Sequence, residues 1–249
     1  MIDKRDFLLI DGGVTVLIPA YNELNNLQHL LPELFSVIQS LTFESIEVLV
    51  VLASIASVEE KSQIESLGAR TVIRKPSDSF GDALRTGFSN TSKDTEFIIT
   101  MDADGSHDPK VIPSLLAPAR YSHIVNASRY VDGGSTDAKV RHQLMSRLVN
   151  LMFTIALGEK IHDISGNFKL YRKSMISQLS LVNQNFNIIQ EIVFKTKLLT
   201  EKKFVFTEVP YQFHQRKFGK PKRQLLKYIF SYGGTLIRFS AFRFRKRSP

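Results

Sequence analysis

Phe97-Ile98-Ile99-Thr100-Met101-Asp102-Ala103-Asp104 is the stretch on which the reading of this 249-residue chain turns. Four apolar or β-branched residues and Met101 make a run of strand length, closed by two aspartates one residue apart. Such a run predicts a buried strand that releases two carboxylates where it leaves its sheet. Working outward, Val14–Ile18 is a similar run ending at Pro19, and Ile46–Leu52 is another. Thr71–Ile73 and His123–Ala127 read as further short strands. Helical patterns separate them: Leu27, Leu30, Leu31 and Leu34 share one face of a helix opened by Asn22-Glu23. A Glu- and Lys-rich helix ends near Gly68, Gly81–Phe88 forms another, and one more starts at about Lys110. Strands alternating with helices predict an α/β fold, with a mainly parallel sheet covered by helices on both faces. Beyond residue 135 the alternation weakens into a long helix near Ala138–Leu157 and a strand at Lys203–Val209.

Open sheets of this kind bind ligands beyond the carboxyl ends of their strands. Three polar clusters fall there: Tyr21-Asn22-Glu23, Asp102-Ala103-Asp104 and Ser128-Arg129-Tyr130. Because the chain is leaving the sheet, Asp102 and Asp104 can both reach one hard divalent cation. Carboxylate oxygens suit Mg2+ or Mn2+, which also accept phosphate oxygens and water. A cation bridging two phosphates neutralises charge as a nucleoside diphosphate departs. A calcium loop starting at Asp102 is excluded, since its sixth position is His107 rather than glycine and its twelfth is Pro113 rather than glutamate. Aspartates are also common in turns, so this motif needs its neighbours.

Charge divides the chain. Arg216–Pro249 holds 11 of the 33 Lys/Arg and none of the 24 Asp/Glu, which leaves the preceding residues close to neutral. A tail of that kind seeks anionic surface, lipid or nucleic acid; the other reading is a solubilising end. There is no cysteine, which excludes disulfides, thiolate metal sites and thiol nucleophiles. The first residues, MIDKRDFLLIDGG, alternate charge without an apolar stretch of signal-peptide length, which predicts a cytoplasmic protein.

The stretches VLIPAYNELNNL, MDADGSHDPKVIPSLL, SRYVDGG, DISGNFKLYR and EVPYQFHQRKFGKPK occur in this order between residues 16 and 222. Together they resemble the landmarks of family 2 glycosyltransferases, in particular the dolichol-phosphate and polyprenyl-phosphate mannosyltransferases. The resemblance implies a glycosyltransferase-A, Rossmann-like fold and an inverting displacement. The substrates it implies are a nucleoside-diphosphate sugar as donor and a polyprenyl or dolichyl phosphate as acceptor. It places Pro19, Tyr21 and Glu23 at the nucleotide, and Asp102 and Asp104 at the metal and diphosphate, with Ser106 as third metal ligand. Arg129, Arg141, Arg216 and Lys222 would gather the acceptor phosphate and the departing diphosphate. Asp163, Ser165 and Gly166 match the block that shapes the acceptor side. Asp104, Arg129, Arg141 and Asp163 are thus the expected catalytic set. His107 reads better as a turn residue than as a ligand. Glu191 sits on an apolar helix and implies an ion pair, toward either the acceptor region or the scaffold.

One block departs from that family. Where it carries a paired-aspartate stretch, D-D-G-S-x-D, this chain reads Val51-Leu52-Ala53-Ser54-Ile55-Ala56-Ser57. In the family one of those aspartates contacts the donor base, so two alternatives stay open. One is an active enzyme with altered donor choice, mannose from guanosine diphosphate being the first expectation and a uridine-diphosphate sugar the second. The other is an impaired member that binds lipid or a partner.

The tail divides from the catalytic segment at residues 1–215 and 216–249. Its longest uncharged stretch, Tyr228–Ile237, is far shorter than the roughly 20 residues of a spanning helix. Phe239, Phe242 and Phe244 interleave with arginines, which predicts an amphipathic, basic segment at an anionic membrane surface, with a membrane protein as a further partner. The predicted location is peripheral, on the cytoplasmic face. Nucleic acid is not an expected partner, because the body is near neutral and carries no nucleic-acid motif.

Overall fold

The computed structural model describes residues 12–41 and 44–215. Arg216, Lys222 and the whole basic segment 216–249 lie outside the described residues, as does the N-terminal stretch read for targeting. The chain forms β1 (Gly13–Pro19), α1 (Leu24–Gln39), β2 (Ile46–Leu52), α2 (Val58–Ser66), β3 (Arg70–Ile73), α3 (Phe80–Ser89) and β4 (Thr95–Thr100). A 3-10 turn at Pro109–Val111 leads into α4 (Ile112–Leu116) and then β5 (Ile124–Ser128). There follow β6 (Ser135–Thr136), α5 (Val140–Leu157), β7 (Lys169–Arg172), α6 (Lys173–Ile176), α7 (Ile188–Thr200), β8 (Phe206–Pro210) and β9 (Gln212–Phe213).

Seven strands make one sheet in the order β3-β2-β1-β4-β7-β5-β8, and β6 pairs with β9 apart from it. All neighbours in the large sheet are parallel except β7, which runs antiparallel to both β4 and β5. The α/β fold with a mainly parallel sheet is therefore as expected. Side chains alternate across each strand, so Val14, Val16 and Ile18 join α1, α2 and α4 in one core layer. Leu17, Leu49 and Val51 join α3, α5, α6 and α7 in the other. The long helix is held at its end by Gly158, whose φ of +67° provides the left-handed cap.

Two differences from the sequence reading concern the second half. Strand β7 is four residues long and begins and ends in a cation, so no apolar run announces it. The last long strand begins at Phe206 rather than Lys203, because Glu201–Lys203 forms a 3-10 turn at the end of α7.

Candidate functional site

The clusters after β1, β4 and β5 share the carboxyl edge of the sheet. After β4 the chain turns through Gly105, with φ of +77°. Within this turn the Ser106 N–H donates to Asp104 Oδ1 at 3.1 Å, and Ser106 itself is buried. The Asp102 N–H donates to His107 Nδ1 at 2.9 Å, and the buried imidazole stacks on Phe168 with ring centroids 4.9 Å apart. Accepting at Nδ1 leaves Nε2 to carry the proton of a neutral ring, and Nε2 lies 3.8 Å from Asp102 Oδ2. His107 thus braces the turn through the Asp102 N–H.

On the β5 side, Arg129 lies over Asp163. The guanidinium donates from Nε to Oδ2 and from Nη2 to Oδ1, both at 2.7 Å, and the Arg129 N–H adds a bond to Oδ2 at 3.1 Å. Nη2 also reaches Ser146 Oγ on α5 at 3.1 Å and Ser165 Oγ at 2.9 Å. Asp163 has no exposed side-chain surface, whereas Arg129 keeps 13% of its own. Burial disfavours both charges, yet each holds the other ionised: the Asp163 carboxyl lies below, and the Arg129 guanidinium above, its ordinary range. Aromatic rings close the arginine in, with Tyr130 at 5.1 Å and Phe213 at 5.7 Å from its Cζ.

One loop, residues 163–168, joins these two sides. Asn167 Nδ2 donates to Asp102 Oδ1 at 2.9 Å, while four residues earlier Asp163 holds Arg129. The loop thus bonds to the acidic turn at one end and to the arginine at the other. Beneath the loop, Lys169 is fully buried, its Nζ donating to the carbonyls of Ile164 and Gly166. Burial pushes this ammonium down to about 7 against the pull of Asp163. Glu208 on β8 caps the loop from the other side, accepting from the N–H groups of His162 and Asp163 at 2.9 Å each.

Of the remaining expected residues, Pro19 ends β1 and Tyr21 is 39% exposed just beyond it. Glu23 precedes α1 and accepts from Asn26 Nδ2 at 2.5 Å. Arg141 lies exposed in the first turn of α5. Glu191 is buried and belongs to the scaffold: it accepts from the N–H groups of Val182 and Asn183 and pairs with Lys195 at 2.7 Å. Sequence reasoning missed Ser146, Asn167, Lys169 and Glu208. Asn167 and Lys169 stand inside the quoted DISGNFKLYR block and were open to suspicion; Ser146 and Glu208 carry no local signal.

The residues present fit a hard divalent ion. Asp102 and Asp104 offer carboxylate oxygens where the chain leaves β4, Asp102 retaining 17% side-chain exposure. The buried Asn167 Oδ1 next to them has no hydrogen-bond partner among the described residues. A few protein oxygens with the remaining positions left to phosphate and water is the arrangement magnesium prefers.

Comparison with known proteins bears on the family and the fold. The family model described as glycosyl transferase family 2 matches residues 15–180. The chain is 34% identical over 226 residues to a dolichol-phosphate mannosyltransferase of Pyrococcus furiosus, covering 88% of this chain and 61% of that one. It therefore spans about three-fifths of the length of that relative. An undecaprenyl-phosphate mannosyltransferase of Micrococcus luteus is 27% identical over 217 residues, covering 84% of this chain and 86% of that one. Among solved structures, glucosyl-3-phosphoglycerate synthase of Mycobacterium tuberculosis, in complex with Mn2+, uridine diphosphate and phosphoglyceric acid, superposes with a TM-score of 0.68. At 15% identity over 92% of this chain and 77% of that one, that likeness establishes the fold.

Proposed function

The chain belongs to glycosyl transferase family 2, and from that premise we propose that it is an inverting enzyme moving a hexose, mannose first, from a nucleoside-diphosphate sugar to a polyprenyl or dolichyl phosphate. The names of the two mannosyltransferase relatives support the acceptor class. The observation that carries the reading is the loop linking Asp102, through Asn167, to Arg129, through Asp163. It sets an acidic corner beside a cationic one, as transfer between two anionic groups requires.

In the reaction a phosphate oxygen of the lipid forms a bond to the anomeric carbon, and the bond from that carbon to the diphosphate breaks. A phosphate monoester has its second pKa near 6, so the nucleophile is already anionic at neutral pH and needs no general base. Asp102 and Asp104 would hold a magnesium or manganese ion, whose chemistry is neutralisation of the departing diphosphate. Arg129 carries the acceptor phosphate, joined by Arg141, Arg216 and Lys222. With Asp163 and Ser165 occupying Nε and Nη2, the Nη1 face of Arg129 is the one left for a phosphate. Asp163 acts through Arg129, fixing its plane, and touches no substrate itself. Pro19, Tyr21 and Glu23 border the nucleotide.

A membrane-bound acceptor calls for a protein that reaches the bilayer surface. No helix among the described residues is long and apolar enough to cross a membrane. Helix α5, however, exposes Val140, Leu144, Leu148, Leu151 and Ile155 along one face. At 3.6 residues per turn, Arg141 and Arg147 flank that stripe, and Ser146 and Phe153 lie on the opposite, buried side. An apolar stripe edged by arginines supports interfacial docking at an anionic surface, next to the Arg129 corner.

The test is incubation of the full chain with nucleotide-sugars, Mg2+ or Mn2+ and a polyprenyl phosphate, followed by mass spectrometry of the lipid fraction. Asp104→Ala should abolish the sugar-phospholipid while the variant still folds, with at most the loss of the Ser106 N–H bond. Unchanged turnover in that variant removes the metal role. Lipid binding without release of nucleoside diphosphate from any donor favours the alternative, a binding subunit.

A further inference from the structure

The carboxylate missing after β2 has a counterpart in space. Ser54, which follows the buried Ala53 at the end of β2, donates its N–H to Asp78 Oδ1 at 2.7 Å and its Oγ–H to Oδ2 at 2.5 Å. Asp78 comes from the loop between β3 and α3, and its side chain is 28% exposed. These bonds from Ser54 hold its carboxyl below the ordinary range, so it is ionised at neutral pH.

A single buried guanidinium fastens the surroundings. Arg74, with 4% side-chain exposure, donates to the carbonyls of Ala20, Val51, Leu52 and Asp78. It thereby ties the ends of β1 and β2 to the loop after β3. Its Cζ lies 5.8 Å from the centroid of the Tyr21 ring, which is part exposed. At the carboxyl edge of three adjacent parallel strands there are thus an aromatic face, a fixed carboxylate and a rigid frame joining them. This is where an open α/β sheet receives a ligand, and the chemistry suits a planar ring carrying N–H donors.

From this we infer that Asp78, positioned by Ser54, reads the base of the donor nucleotide and selects guanosine over uridine. The inference rests on the nucleotide-sugar reading above. An ionised carboxylate has about four acceptor sites, and Ser54 uses one on each oxygen, which leaves an acceptor on each of two adjacent oxygens of a side chain that is 28% exposed. Guanine presents two adjacent donors, N1–H and the N2 amino group. Uracil presents one N–H between two carbonyls, which repel the second oxygen. Adenine sets an acceptor beside its amino group and meets the carboxylate with only one donor.

The experiment is isothermal titration of the full chain, in MgCl2, with GDP, UDP and xanthosine diphosphate. Wild type should bind GDP at least about tenfold more tightly than UDP. Asp78→Ala should lose about 10- to 100-fold in GDP affinity, the range for hydrogen bonds to a charged acceptor, and less for UDP. Asp78→Asn can keep both Ser54 bonds, so it tests the reading without unmaking the loop. It sets one donor beside one acceptor and should prefer xanthosine diphosphate, whose C2 carbonyl replaces the guanine amino group. A base preference unchanged in both variants, or a wild-type preference for UDP, overturns the inference and leaves the transferase proposal standing. Wild type that binds no nucleotide overturns both.

Discussion

Asp163→Asn is the sharpest test of how the site is held together. The wild-type carboxylate accepts two 2.7 Å bonds from Arg129, a third from the Arg129 N–H at 3.1 Å and a fourth from Ser165 Oγ at 3.3 Å. Asparagine keeps the shape but turns one oxygen into a donor, which then faces a guanidinium N–H. The larger effect is electrostatic: Arg129 and the fully buried Lys169 lose the carboxylate that offsets their burial. Breaking a buried pair from one side costs about 3–5 kcal/mol. For a chain of this size each kcal/mol shifts melting by roughly 2–4 °C, so the variant should melt about 6–20 °C lower. Calorimetric or circular-dichroism melts of the ligand-free protein at neutral pH measure this directly.

Arg129→Met with Asp163→Leu supplies the control: removing both partners leaves neither guanidinium nor carboxylate orphaned, only the effect on Lys169 that the single Asp163 change shares, and should cost less than the two single changes added. The acid arm has a definite sign. The folded carboxyl is depressed, so its contribution is complete above the unfolded value near 4 and is lost as pH falls through the folded one. The gap between wild type and Asp163→Asn should therefore narrow below about pH 4. Melting within about 2 °C of wild type, a shift worth under 1 kcal/mol, or strict additivity in the double variant would show that water already reaches this pair and that the loop is not held by it.

Lys169 gives a pH dependence of opposite sense. Its folded value is about 7 and its unfolded value about 10.4, so between them the unfolded chain binds the extra proton and stability rises with pH. Denaturant titrations at pH 7, 8 and 9 should show wild type gaining up to about 1.4 kcal/mol per unit relative to Lys169→Met; parallel profiles would refute a buried, depressed ammonium. On α5, Leu144→Asp with Leu148→Asp should cut sedimentation with anionic vesicles by about tenfold or more, since each leucine brings up to roughly 1.5–3 kcal/mol when fully buried. Because both side chains are exposed in the free protein, melting should not change; undiminished vesicle binding would remove α5 from the membrane contact.

What the sequence disclosed follows the length of its patterns. β1, β2, β4 and β5 are apolar runs buried on both faces, and their polar ends draw attention to Tyr21, Asp102, Asp104 and Arg129, whose expected roles came from the ordered blocks around them. β7 gave no such signal. Lys169 and Arg172 flank its two interior residues, and a lysine with no exposed surface is a rarity that composition argues against. Lys169 is buried there because loop carbonyls and Asp163 surround it, and those partners come from the tertiary fold. Glu208 was hidden for a related reason: on a half-buried edge strand its carboxylate looks solvated until the His162–Asp163 backbone arrives. Asp78 stood in an ordinary turn sequence, and only the absence of acid after β2 pointed toward it.

The direction of β7 explains why the acidic and cationic corners meet at all. In a sheet of parallel strands, every loop that enters a strand lies on the amino edge, away from the ligand. Reversing one strand moves its entering loop to the carboxyl edge. Here Lys169, the first residue of β7, pairs with Thr100 at the end of β4 and with Asn126 toward the end of β5. The loop before it therefore emerges between those two strand ends. Thr100 Oγ1 donates to the Asn167 carbonyl at 2.6 Å, and Asn126 Nδ2 to the Asp163 carbonyl at 2.7 Å. Pinned at both places, the loop can offer Asn167 to Asp102 on one side and Asp163 to Arg129 on the other. A parallel β7 would leave β4 and β5 to end in separate clusters with a strand's width between them, about 5 Å for each pairing. The link between the two clusters is thus a consequence of topology: the strand hardest to recognise in the sequence is the one whose entering loop bonds to both Asp102 and Arg129.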